Sequence, residues 1–122
     1  MILNTIHHIA IICSDKEAAL DFYHRKLGFP IIRENYRSER DDWKIDLQLN
    51  ENTELELFIM KGHPKRMSPE AYGLRHLASV DEMVAELLEK GIPCEPIRTD
   101  TFTGEKMTFF RDPDDLPIEI HE

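Results

Sequence analysis

One order of elements is written twice in this chain, and that repeat limits the available folds more than any other feature. Ile6 to Cys13 is a β-rich run, after which Ser14-Asp15-Lys16-Glu17 reads as a capping box, with Ser14 as the cap and Glu17 three residues on. Ala19, Phe22, Tyr23 and Leu27 then recur at helical spacing, and Gly28 offers the left-handed residue that closes the helix. Strands are expected at about 29–36, 43–50 and 54–60, the middle one alternating Ile45, Leu47 and Leu49 with Asp46, Gln48 and Asn50. From Leu74 the order restarts with a short strand to Val80. A helix opened by Asp81 follows, with Val84, Leu87 and Leu88 on one face, and it stops at Gly91-Ile92-Pro93. Strands at about 92–98, 106–111 and 116–121 complete the second unit.

Each half is therefore β-α-β-β-β, and a duplicated module is the economical reading. The fold class is α+β, in a single domain over 1–122. Module one spans about 4–60, a polar linker about 61–72, and module two about 73–122. The linker includes Gly62, Pro64, Ser68 and Pro69, which carry turn chemistry.

A chain of 122 residues buries enough surface to fold without a metal or a disulfide as a staple. Its formal charge of −9 repels a phosphate backbone, which argues against nucleic-acid binding. The first residues, Met1 to Ile6, lack a basic segment followed by a long apolar core, and no apolar run approaches a membrane span. A cytoplasmic protein is expected, with Cys13 and Cys94 reduced and buried.

The candidate chemistry comes from strand parity. In Leu55-Glu56-Leu57-Phe58-Ile59 the aliphatic residues share a face and Glu56 points the other way. Leu116, Ile118 and Ile120 do the same around Glu119. Taken strand by strand, a solvated outer face explains both carboxylates; buried, each would need a cation or a partner. The histidines add weight to the second reading, because each half carries one on its first strand. His8 and His76 are 68 residues apart (76 − 8), and Glu56 and Glu119 are 63 apart (119 − 56), so the two pairs occupy matching places in the repeat. Imidazole and carboxylate suit Zn²⁺, Ni²⁺, Mn²⁺ or Fe²⁺, and symmetric strands could converge all four side chains on one ion. A lone strand histidine is otherwise a structural or surface residue. Parity sets His7 on the face opposite His8, while His24, His63 and His121 read as helix surface, linker and strand end.

Arg33, Arg37, Arg40 and Lys44 form a basic cluster able to hold an anionic substrate or the carboxylate of a thiol cofactor. The alternative is a solvated hairpin balanced by Glu34, Glu39, Asp41 and Asp42. Trp43 and Tyr36 could line an apolar pocket or simply pack, and Lys106 is a further, weaker substrate candidate.

At these residues the chain resembles the vicinal oxygen chelate superfamily, and within it the bacterial glyoxalase I-like (lactoylglutathione lyase-like) branch. The matching segments are His7-His8-Ile9-Ala10-Ile11, Phe22-Tyr23, Leu27-Gly28-Phe29, Glu56-Leu57-Phe58, Gly73-Leu74-Arg75-His76-Leu77-Ala78, Phe110-Arg111-Asp112-Pro113-Asp114 and Leu116-Pro117-Ile118-Glu119-Ile120. Arg33-Glu34-Asn35 and Lys44-Ile45-Asp46-Leu47 also fit the branch. The resemblance spans nearly the whole chain.

It implies two βαβββ modules forming an open barrel-like cleft, the glyoxalase/bleomycin resistance/dioxygenase fold, with one divalent metal held by His8, Glu56, His76 and Glu119. It also implies a metal-dependent isomerase or lyase of glyoxalase I type, acting on a hemithioacetal through a metal-bound enediolate with Glu119 as the base. A small-molecule substrate, possibly a thiol adduct, and a homodimer complete the expectation. The competing functions are a metal-free drug-binding or resistance module, an epimerase and a dioxygenase. The last normally uses two histidines and one carboxylate. Three departures stand out: a strand after His76 one residue short, Asp115 where a turn glycine is usual, and a short segment 61–72.

Overall fold

The protein is described by a computed structural model over residues 4–80 and 84–121. The chain divides into two compact units, Met1–Pro64 and Lys65–Glu122. Each carries one four-stranded mixed sheet.

In the first unit, strand β1 (His8–Cys13) leads to helix α1 (Lys16–Leu20), which runs on into a π-helical stretch, Asp21–Lys26. Strands β2 (Ile31–Arg37), β3 (Asp42–Gln48) and β4 (Glu54–Ile59) follow. The sheet order is β1-β4-β3-β2, with β1 parallel to β4 and the other neighbours antiparallel. Parity then sorts the side chains. Ile11, Cys13, Ile45, Leu47, Leu55, Leu57 and Ile59 are buried together with Ala19, Leu20, Phe22 and Tyr23 of the helical segment. Period-2 and period-3.6 apolar stripes thus supply one hydrophobic core. Lys16 lies 3.5 Å from the centroid of the Trp43 ring, and Tyr36 packs against the same ring at 5.5 Å. Tyr36 is half exposed and Trp43 partly buried, so the pair covers the sheet rather than filling its core.

The cap of α1 is Asp15, not Ser14: its Oδ2 accepts from the Ala18 amide at 2.9 Å. Both residue types cap well, and the geometry chose the later one. Gly28 closes the segment at φ +81°, where an L side chain would be strained.

In the second unit, β5 (Leu77–Val80) pairs in parallel with β8 (Pro117–His121), and β7 (Lys106–Arg111) joins β8 antiparallel. The order is β5-β8-β7-β6. The register Leu77↔Ile118 to Val80↔His121 is regular, so the missing residue after His76 shortens the strand without shifting it. His76 itself falls just before β5 rather than on it. The expected strand over 92–98 is reduced to β6 (Arg98–Thr99). Pro93 and Pro96 have no amide hydrogen to donate, and of this stretch Glu95 bonds to Phe109 at 2.8 Å. In helix α2 (Val84–Glu89), Leu88 faces solvent instead of joining an apolar face. The cap assigned to Asp81 lies outside the described residues.

Asp115 does adopt the left-handed conformation, at φ +66°. Asp112 organises that turn, its Oδ1 accepting from the amides of Asp114 and Leu116, each at 2.9 Å. Cys13 is buried and Cys94 partly so, and burial pushes the Cys94 thiol pKa up. Among the described residues no helix is long and apolar enough to cross a membrane.

Candidate metal centre

The face of the first sheet away from the apolar core carries His8 on β1, Glu54 and Glu56 on β4, Lys44 and Asp46 on β3, and Arg33 on β2. Ala10 stands opposite Glu56 in the parallel ladder, and His8 is two residues before Ala10. His8 Nδ1 lies 3.6 Å from Glu56 Oε2, with Lys44 Nζ at 3.7 Å from the same oxygen. Glu56 is only 9% exposed, so a solvated outer face does not describe it.

The second sheet repeats the arrangement. Ala78 stands opposite Glu119, and His76 is two residues before Ala78. His76 Nε2 lies 2.9 Å from Glu119 Oε2, and Glu119 is 7% exposed. On its other side Glu119 faces Phe109, whereas Glu56 faces Asp46. The Phe109 ring meets His76 edge-on at 5.2 Å.

Each module thus presents one imidazole and one buried carboxylate with the same strand offset, a donor set suited to a borderline divalent cation. Nitrogen and oxygen ligands of one tetrahedral ion stand roughly 3.3 Å apart, and the two observed separations fall on either side of that value. Among the described residues no group of three or more His, Cys, Asp or Glu side chains is gathered as a metal site. What the structure brings together is the pair His8–Glu56 and, separately, the pair His76–Glu119.

His7 precedes β1, so strand parity does not govern it. Its Nδ1 lies 3.0 Å from that of His8, and its Nε2 lies 3.9 Å from Glu54. His24 is partly buried, with Nδ1 2.8 Å from the Phe29 carbonyl oxygen, while His121 faces Glu105 at 3.3 Å.

Arg33, Arg37 and Lys44 of the basic cluster are each paired with carboxylates. Arg37 grips Asp42 through Nε at 2.6 Å and Nη2 at 2.7 Å, which holds the Asp42 carboxyl below its usual range; burial opposes this, and the charges of Arg37 and Arg40 add to it. Arg33 reaches Asp46 at 2.6 Å and Glu54 at 2.9 Å. Lys44 reaches Asp46 at 3.1 Å. The balancing acids are thus mainly on β3 and β4, with only Asp42 coming from the hairpin expected to supply them. Lys106 is exposed at the start of β7, opposite Thr99.

Asp46 was not marked as a site residue by sequence reasoning, although it is fully buried and tied to two cations. A signal was present: Ile45-Asp46-Leu47 has the same form as Leu55-Glu56-Leu57.

Comparison with known proteins agrees with this architecture. The model of the Glyoxalase/Bleomycin resistance protein/Dioxygenase superfamily matches residues 5–120. The chain is 56% identical to uncharacterized protein YwkD of Bacillus subtilis (strain 168), covering 100% of this chain and 99% of that one. It superposes on a glyoxalase family protein from Enterococcus faecalis with a TM-score of 0.94, at 53% identity and full coverage of both chains. It also superposes on the trypanothione-dependent glyoxalase I of Leishmania major, with a TM-score of 0.70 at 28% identity, covering 95% of this chain and 84% of that one. With two βαβββ modules and a family model that spans all but a few terminal residues, the chain belongs to the Glyoxalase/Bleomycin resistance protein/Dioxygenase superfamily.

Proposed function

We propose that this protein is a divalent-metal-dependent isomerase or lyase of glyoxalase I type, acting on a hemithioacetal or related α-hydroxycarbonyl, with His8, Glu56, His76 and Glu119 as the ligands of one cation and a homodimer as the working form. The observation that carries this reading is the repeated register. In both modules a histidine stands two residues ahead of an alanine, and that alanine faces a buried glutamate across a parallel ladder. Outward carboxylates without a task would be cheaper left in water. The likeness to a glyoxalase I adds support.

A divalent ion held by His8, Glu56, His76 and Glu119 would supply Lewis acidity to an oxygen-bearing substrate. The protein's own part is to move a proton between neighbouring carbons, and Glu119 suits that role better than Glu56. Lys44 tethers Glu56 at 3.7 Å, whereas Glu119 has the uncharged ring of Phe109 as its antiparallel neighbour. With no lysine beside it, Glu119 is the carboxylate assigned to take a proton from a carbon and return it one position along. His76 orients Glu119 through the 2.9 Å contact.

The decisive measurement is metal content by mass spectrometry on untagged protein, before and after equilibration with Zn²⁺, Ni²⁺ and Mn²⁺. About one ion per chain is expected, weakened in both Glu56→Gln and Glu119→Gln, followed by turnover of a hemithioacetal that Glu119→Gln abolishes. Metal at background level, or metal indifferent to both substitutions, removes the metalloenzyme reading and leaves a metal-free binding module.

A further inference from the structure

On the same face of the second sheet as Glu119, a cavity of about 130 Å³ opens beside His76. Phe109 and Pro117 give it apolar lining, and three arginines reach it from separate segments: Arg75, Arg98 and Arg111. Two glutamates also line it. Arg75 is held by Glu70, at 2.9 Å from Nη2. Arg98 meets Glu95 more loosely, at 3.5 Å, and its guanidinium carbon stands 5.5 Å from the centroid of the Phe109 ring. Arg111 donates from Nη1 to the Asp115 carbonyl at 3.3 Å.

Three guanidiniums against two carboxylates leave this lining with one positive charge when His76 is neutral, on a chain whose formal charge is −9. Guanidinium forks match planar oxyanions, and a surplus of one charge matches a carboxylate better than a phosphate dianion. The Phe109 ring is in contact with both Arg98 and the edge-on ring of His76. Arg111 pairs with Pro117 and so stands level with His76, while Arg98 pairs with Met107; a carboxylate in the cavity between the two guanidiniums would set its carbons against the Phe109 ring.

We propose that this cavity binds a carboxylate of the substrate through Arg98 and Arg111, with the adjoining apolar carbons against Phe109. The substrate class narrows accordingly, to an α-oxygenated compound bearing a free monocarboxylate a few carbons from the reacting centre. This inference rests on the proposed metal-dependent function for the identity of the substrate, but the anion site itself can be tested without any metal.

The test is ¹⁵N-resolved NMR, including arginine Nε–H signals, on EDTA-treated full-length protein titrated with butyrate. Butyramide serves as the neutral control and inorganic phosphate as the dianion. Saturable shifts at Arg98 and Phe109 are expected with butyrate and not with butyramide. The apparent Kd should be at least about fivefold weaker in Arg98→Gln and in Arg111→Gln, both verified as folded by thermal unfolding. No saturable butyrate shifts, equal response to butyramide, unchanged affinity in both variants, or tighter binding of phosphate would each overturn the assignment. Because metal uptake is read separately by mass spectrometry, loss of the metal reading leaves this result standing, and the reverse also holds.

Discussion

His76 Nε2 and Glu119 Oε2 lie 2.9 Å apart, the tighter of the two histidine–glutamate pairs that the repeat places in equivalent positions. That contact makes stability and metal affinity respond differently to one substitution. In metal-free protein, Glu119→Gln keeps an oxygen that can accept from His76 and removes a buried negative charge, so stability should change by less than about 1 kcal/mol. With metal present the wild type should gain about 2.7 kcal/mol at a free metal concentration one hundred times Kd, and the variant far less. Thermal unfolding with and without Zn²⁺ checks this. Equal stabilisation of both proteins would show that Glu119 is not a ligand.

Asp46 is fully buried with Arg33 Nε 2.6 Å away, and Arg33 is about half exposed. Truncating the buried partner therefore leaves a guanidinium that can turn to water, whereas truncating the exposed one leaves a carboxylate that cannot. Arg33→Ala should cost about 2–4 kcal/mol in urea unfolding, with Lys44 as the remaining partner of Asp46. Asp46→Ala should cost less than Arg33→Ala. The reverse order would mean that Asp46 acts mainly through packing.

These two sites also mark the limit of what could be read from the chain alone. The alternations around Glu56 and Glu119 are local, since a period of two is written in consecutive residues, and β4, β8 and the core faces of the strands followed from them. The carboxylates' burial was not local. It depends on which strands lie beside them, so Asp46 passed as a polar residue on an outward face until Arg33 and Lys44 were seen around it. The arginine-lined cavity was invisible for the same reason, because Arg75, Arg98 and Arg111 belong to three different segments. The Ser14 and Asp15 caps differ by one residue and could not be separated by residue type. The prolines at 93 and 96 were present in the sequence and should have demoted the strand over 92–98.

The Arg37–Asp42 pair gives a pH dependence with a definite sign. The hydrogen bonds from Arg37 hold the Asp42 carboxyl below its usual range, against the opposing effect of burial and with help from the charges of Arg37 and Arg40. A carboxyl whose folded pKa is depressed contributes its stabilisation fully above the unfolded value, about 3.9, and loses it as pH falls toward the folded value. In Asp42→Asn that contribution is absent at every pH. The difference in stability between wild type and Asp42→Asn should therefore be constant from pH 7 to about pH 5 and shrink below about pH 4. Urea denaturation midpoints of the two proteins, followed from pH 7 to 3, measure it directly. A difference that stays constant down to pH 3 would mean that the pair holds the hairpin by shape alone, and that its charge contributes nothing to the fold.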